Sequence, residues 1–117
     1  MLYRDTEVIV MESGTASIIQ ISGRLDYKIA DMLLIKIEQI RNKGVKTIIF
    51  DLENTTFVSS LGLGIIASTR QNIKASGGEV KLTGVKGMIA EVFRITGLSK
   101  EFEIYSNLNE ATRLLMA

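Results

Sequence analysis

The sequence predicts an α/β fold in which a mixed β-sheet is flanked by helices, and three features carry that expectation. Short β-branched runs alternate with segments whose apolar residues recur every three or four positions, the first two runs are adjacent, and one run is apolar on both faces. Residues 7–11 (EVIVM) and 15–22 (TASIIQIS) are the adjacent pair, and Glu12, Ser13 and Gly14 between them suit the turn of an antiparallel hairpin. GRLD at 23–26 then breaks the run. From Tyr27 to Lys43, the residues Ile29, Leu33, Ile37 and Ile40 form one helical stripe. Gly44 suits the left-handed position just past that helix, and Arg41 and Lys43 suit the negative end of its dipole.

Residues 45–52 (VKTIIFDL) read as a central strand, because a strand covered on both sides loses the polar alternation of a half-exposed one. Residues 60–76 carry Leu63, Ile66 and Ile73 and end at Gly77 and Gly78, which predicts a second helix closed by glycine. A short strand follows at 79–83 (EVKLT), then a third helix at 88–96 with Ile89, Val92 and Phe93 on one face and Gly97 at its end. Residues 102–105 (FEIY) read as a last strand. Asn107 with Glu110 three positions on resembles a capping box for a final helix bearing Leu108, Ala111 and Leu115. The order β-β-α-β-α-β-α-β-α implies right-handed crossovers and a largely parallel sheet with an antiparallel edge. No linker, repeat or low-complexity segment divides the 117 residues, so a single domain over 1–117 is expected.

With 46% hydrophobic residues, 23% charged residues and a formal net charge of +1, the composition is that of an ordinary globular protein, and the charge balance points to no nucleic acid. There is no apolar run of membrane-spanning length, and MLYRDTEV lacks the basic and apolar stretches of a signal peptide, so no membrane association and a cytoplasmic location are expected. The chain has no cysteine and no histidine. That removes disulfides, thiolate nucleophiles, the commonest catalytic base and the commonest transition-metal ligands, and it excludes a Ser-His-Asp hydrolase. No catalytic residue, metal site or cofactor is expected.

The segment that invites a function is FVSSLGLG at 57–64, just beyond the most buried strand, where functional loops of parallel sheets gather. A serine before a helix commonly caps it. Gly62 and Gly64 ask for more explanation, since two glycines in a first helical turn cost about 1 kcal/mol each relative to alanine, and close approach to the backbone would explain them. Three chemistries compete. Phosphate or nucleotide binding at a helix N-terminus is one, although the loop has neither the lysine of a P-loop nor a three-glycine dinucleotide pattern. A second takes Asp51 as a phosphoacceptor of the receiver-domain kind, which needs further carboxylates for magnesium where the first strand supplies only Glu12; the plainer role is a strand-end carboxylate pairing with a loop donor. The third makes a serine the substrate of a separate kinase, which requires no base in this chain and turns the loop into a switchable docking surface.

GRLD at 23–26, IIFDLENTTFVSSLGLGII at 48–66, SGGEVKLTGV at 76–85 and VFRITGLSKEFEIYSNLNEA at 92–111 together resemble the STAS domain of bacterial anti-sigma factor antagonists, in the right order over nearly the whole chain. The resemblance implies a STAS-like mixed sheet with flanking helices. It also implies a non-enzymatic protein that binds an anti-sigma factor, itself a serine kinase, so that a sigma factor is freed, with a serine phosphatase reversing the modification. The family's loop reads Asp-Ser-Ser-Gly-Leu-Gly, and its first serine is phosphorylated. On this chain Ser59 takes the aspartate position, Ser60 the phosphorylated serine, Leu61 the second serine, and Gly62, Leu63 and Gly64 the glycine motif. Ser60 is therefore the implied phosphoacceptor, with Ser59, Thr55 and Thr56 as alternatives. Arg24, Asp26, Ser59, Ser60, Leu61 and Gly62 form the implied partner surface. Asp26 on its own residues reads as the cap of the helix starting near Tyr27, and Arg24 as a solvated side chain. The absence of an acid at Ser59 and the apolar Leu61 leave two other readings open. One is a STAS module that binds a partner without phosphorylation, and the other is a nucleotide-binding protein using the glycine loop.

Overall fold

Alternation along the two central strands decides the layers. In the computed structural model, which describes residues 2–3 and 6–113, the strand residues Ile19, Ile21, Ile48 and Phe50 point to one face of the sheet and Ile18 and Ile49 to the other. The chain runs β1 (Leu2–Tyr3), β2 (Thr6–Ser13), β3 (Ala16–Leu25), α1 (Tyr27–Asn42), β4 (Thr47–Asp51), β5 (Thr55–Val58), α2 (Ser60–Ala75), β6 (Glu79–Thr83), α3 (Gly87–Ile95), a 3-10 turn (Leu98–Lys100), β7 (Glu103–Tyr105) and α4 (Leu108–Arg113). The seven strands form one sheet in the order β1-β2-β3-β4-β6-β7, with β5 attached to β3. β1, β2 and β3 are antiparallel neighbours, and every other pairing is parallel.

The larger core lies between the sheet and α1, α2 and α3. It contains Leu33 and Ile37 of α1, Ile65, Ile66 and Ile73 of α2, and Ile89 and Phe93 of α3. On the opposite face Ile18 and Ile49 meet Ala111 of α4, with Leu108 and Tyr105 packed beside them. Asn107 caps α4 by accepting from the Glu110 N–H at 2.9 Å, while the Glu110 carboxylate accepts from the Ser106 hydroxyl. Leu115, expected to complete the stripe of this helix, lies outside the described residues.

The expected elements are all present, and two short strands and the 3-10 turn are added to them. The consequential difference is at GRLD. Instead of ending at residue 22, β3 continues to Leu25, because β5 pairs with its last residues: Gly23 with Thr55, Arg24 with Phe57 and Leu25 with Val58. The register shifts between Gly23 and Arg24 to admit this second partner.

Asp51 is a strand-end carboxylate, as the plainer of its two readings had it. One oxygen accepts from the Thr83 hydroxyl at 3.2 Å and the Glu53 N–H at 3.1 Å, and the other from the Gln20 amide at 2.9 Å. It ties β3, β4 and β6 together where the sheet reaches its loops. Asp51→Ala is expected to lower stability by about 2 kcal/mol or more, since it strands buried donors, and urea unfolding of the two proteins measures it.

Candidate functional site

The parallel strands β3, β4, β5 and β6 end at one pole of the sheet, where α1, α2 and α3 begin. Pairing of Leu25 with Val58 sets the starts of α1 and α2 side by side. The two connections are then tied directly, the Ser59 N–H donating to the Leu25 carbonyl at 2.9 Å. Gly62, in the first turn of α2, lies against the same residue: a Cβ there would stand 2.7 Å from both the carbonyl oxygen and Cγ of Leu25. The close approach that the glycines call for is thus made at Gly62 by the chain's own β3. Nothing comes within 4 Å of the Cβ position of Gly64.

The two serines divide their duties. Ser59 is the N-cap of α2, extended at φ −77° and ψ 169°, and its hydroxyl accepts from the Gly62 N–H at 3.1 Å. Ser60 is the first helical residue, is exposed, and its hydroxyl has no hydrogen-bond partner among the described residues. Thr55 is buried and donates to the Ile21 carbonyl at 2.7 Å. Leu61 is 49% exposed.

Asp26 caps α1, one carboxylate oxygen accepting from the Lys28 N–H at 3.1 Å and the other facing the Arg24 Nε at 3.4 Å. The Arg24 guanidinium lies 4.1 Å from the centre of the Phe57 ring, joining β3 to β5 across the pole. Asp26 is buried, whereas Arg24 and Phe57 are both partly open to solvent. No acidic residue occurs in the first turn of α1, α2 or α3, so the positive ends of three helix dipoles face this pole, together with Arg24 and Lys28. At its rim Lys86 pairs with Glu53 at 2.9 Å.

Comparison with known proteins decides the family. Residues 7–111 match the family model of the STAS domain. The chain belongs to the STAS domain family. A relative in Paenibacillus polymyxa named anti-sigma F factor antagonist is 31% identical over 99 residues, spanning 83% of this chain and 85% of that protein. Among solved structures, an anti-sigma factor antagonist from Mycobacterium paratuberculosis superposes with a TM-score of 0.84 at 23% identity, covering 96% of this chain and 95% of that one. The phosphorylated form of the Bacillus cell fate determinant SpoIIAA does so with a TM-score of 0.74 at 22% identity, covering 93% of this chain and 98% of that one. Among the described residues no helix is long and apolar enough to cross a membrane.

The structure brings Arg24, Asp26, Ser59, Ser60, Leu61 and Gly62 of this STAS domain to one pole, as the sequence implied. It adds three residues that the sequence reading did not single out: Phe57 at 40% exposure, Tyr27 at 71% and Met88 at 81%. For Tyr27 and Met88 the signal was present in the helical stripes. Tyr27 falls off the line of Ile29, Leu33 and Ile37, and Met88 off that of Ile89 and Phe93, so each has to face solvent at the start of its helix.

The two glycines should respond oppositely to alanine. Gly62→Ala forces α2 away from the β3 backbone and is expected to destabilise by about 1 to 3 kcal/mol. Gly64→Ala meets open space and is expected to stabilise by up to about 1 kcal/mol through helix propensity alone. Thermal unfolding of both variants measures the contrast.

Proposed function

We propose that this STAS domain is an anti-sigma factor antagonist, with no catalytic activity of its own, whose docking surface is the pole carrying Arg24, Phe57, Ser59, Ser60 and Leu61. Its partner is an anti-sigma factor that is also a serine kinase, and binding frees a sigma factor in the cytoplasm. The naming of the Paenibacillus relative supports the partner class. Phosphorylation of Ser60 is the off-switch, and a serine phosphatase restores binding.

The observation that carries this reading is the unengaged, exposed hydroxyl of Ser60 beside the occupied one of Ser59. A kinase can take Ser60 without dismantling a helix cap. A phosphate there adds a charge of about −1.5 to −2 at neutral pH, and at the start of a helix the fold accepts it because the dipole favours an anion. The interface does not: a dianion buried without a partner costs several kcal/mol. Arg24, Phe57 and Leu61 stay in place, so the surface remains formed while docking is lost. Asp26 acts from below by capping α1 and holding Arg24.

The exposure of Leu61 favours one second reading, a STAS module that binds its partner constitutively with Leu61 as an apolar anchor. The two are separated by one set of measurements with the cognate anti-sigma factor and ATP. Peptide mass spectrometry is expected to place a phosphate on Ser60, absent from Ser60→Ala. Titration calorimetry should find Ser60→Ala binding as the parent does and Ser60→Asp weaker by on the order of tenfold or more. No phosphate, with Ser60→Asp binding normally and Leu61→Ala failing to bind, would establish the constitutive module instead.

A further inference from the structure

Among the described residues, the outer edge of β2 is open from residue 9 to residue 13. β1 pairs only with Thr6 and Glu7, and among the described residues no strand lies beside residues 9–13 on that side. The hairpin geometry says which backbone groups this leaves unmatched. Gly14 and Thr15 form a two-residue turn, with Gly14 at φ 63° as its first central position requires, and the pair Ser13–Ala16 that closes such a turn exchanges both of its hydrogen bonds. Alternation then turns the N–H and C=O groups of Ser13, Met11 and Ile9 toward β3, and those of Val10 and Glu12 outward. The outward groups sit on a segment reading Ile-Val-Met-Glu, with one charge in four residues, whereas edge strands usually carry charge or proline to discourage pairing. Ile9 and Met11 are 42% and 37% exposed on the face of the sheet that α4 only partly covers.

We propose that this edge pairs with the same edge of a second copy of the chain, antiparallel, about a two-fold axis at Met11. This register matches the outward groups of Val10 and Glu12: Val10 opposes Glu12 of the second copy and Glu12 opposes its Val10, which closes both as hydrogen-bonded pairs. Met11 faces Met11 of the second copy across the axis as a non-hydrogen-bonded pair, the closer of the two spacings. No like charges stand opposite one another. A cavity of about 260 Å³ beside the edge is lined by Val10, Glu12, Lys36, Gln39, Ile40 and Lys43. Lys43 is paired there with Glu12 at 3.2 Å, and Lys36 has no carboxylate partner among the described residues. Glu12 of the second copy, arriving opposite Val10, brings that carboxylate to Lys36. The interface is isologous and closes at two copies. The pairing surface is β2, apart from the pole that bears Ser60, so a dimer would present two docking surfaces.

The absence of cysteine from the chain makes the test clean. Single Met11→Cys and Ile9→Cys variants are oxidised under identical mild conditions, and covalent dimer is followed on non-reducing gels. Facing itself across the axis, Cys at 11 is expected to cross-link roughly ten times faster or more than the similarly exposed Cys at 9, which faces Ser13 of the second copy. Sedimentation velocity of the parent chain at submillimolar concentration should show dimer, and Glu12→Pro, which deletes one outward N–H at an edge position that tolerates proline, should shift it to monomer. Equal cross-linking rates for the two cysteine variants would overturn the proposal. So would a dimer that Glu12→Pro leaves untouched, which would place self-association on another surface. Neither result bears on docking of an anti-sigma factor at Ser60.

Discussion

The pairing of β5 with the last residues of β3 is the constraint on which the proposed docking pole depends. Without it, β3 has no reason to run on through Arg24 and Leu25, and the start of α2 has nothing to lean on. Once Leu25 and Val58 are neighbours, the Ser59 N–H reaches the Leu25 carbonyl, Gly62 is pressed onto the same residue, and Arg24 comes to rest over Phe57. Three contacts follow from one pair of register partners. They are cooperative in the ordinary sense that each orders groups another needs, and loss of Val58 burial would loosen all of them.

Most of this architecture was legible before any coordinates. Ile29, Leu33, Ile37 and Ile40 are all buried, and Thr47–Asp51 is buried throughout, because periodicity reports burial directly. β5 was hidden for a physical reason. It has four residues, two of them threonine, and its partner is some thirty positions away in the chain, so no local pattern announces it. The extension of β3 was hidden with it, since Gly23 reads locally as a break and is one only in register. The site divided in the same way. Which residues gather at the pole could be read from the motif and the chain order, but which serine caps and which stands free could not. Two adjacent serines are chemically alike, and only the point where β5 stops pairing tells them apart.

Backbone as well as side chains contributes to the electrostatics of the pole. Three helices begin there with no acid in their first turns, so their positive dipole ends face the pole, offset at α1 by the carboxylate of its Asp26 cap. In the proposed switch, the free dipole end of α2 would let the fold accept a phosphate on Ser60 while changing what the pole offers to another molecule. Stability and recognition therefore respond to the same group with opposite sign, which is what a reversible switch requires.

The two faces of the sheet differ greatly in what holds them. Among the described residues, the α1–α3 side buries a broad cluster that includes Leu33, Phe50, Ile66 and Phe93, whereas the opposite face buries Ile18, Ile49 and Ala111 of α4, with Leu108 and Tyr105 beside them. Free energy of opening is expected to differ between the two faces. The strands that lead into the pole share the deeper cluster, so local opening on the α4 face would leave them closed.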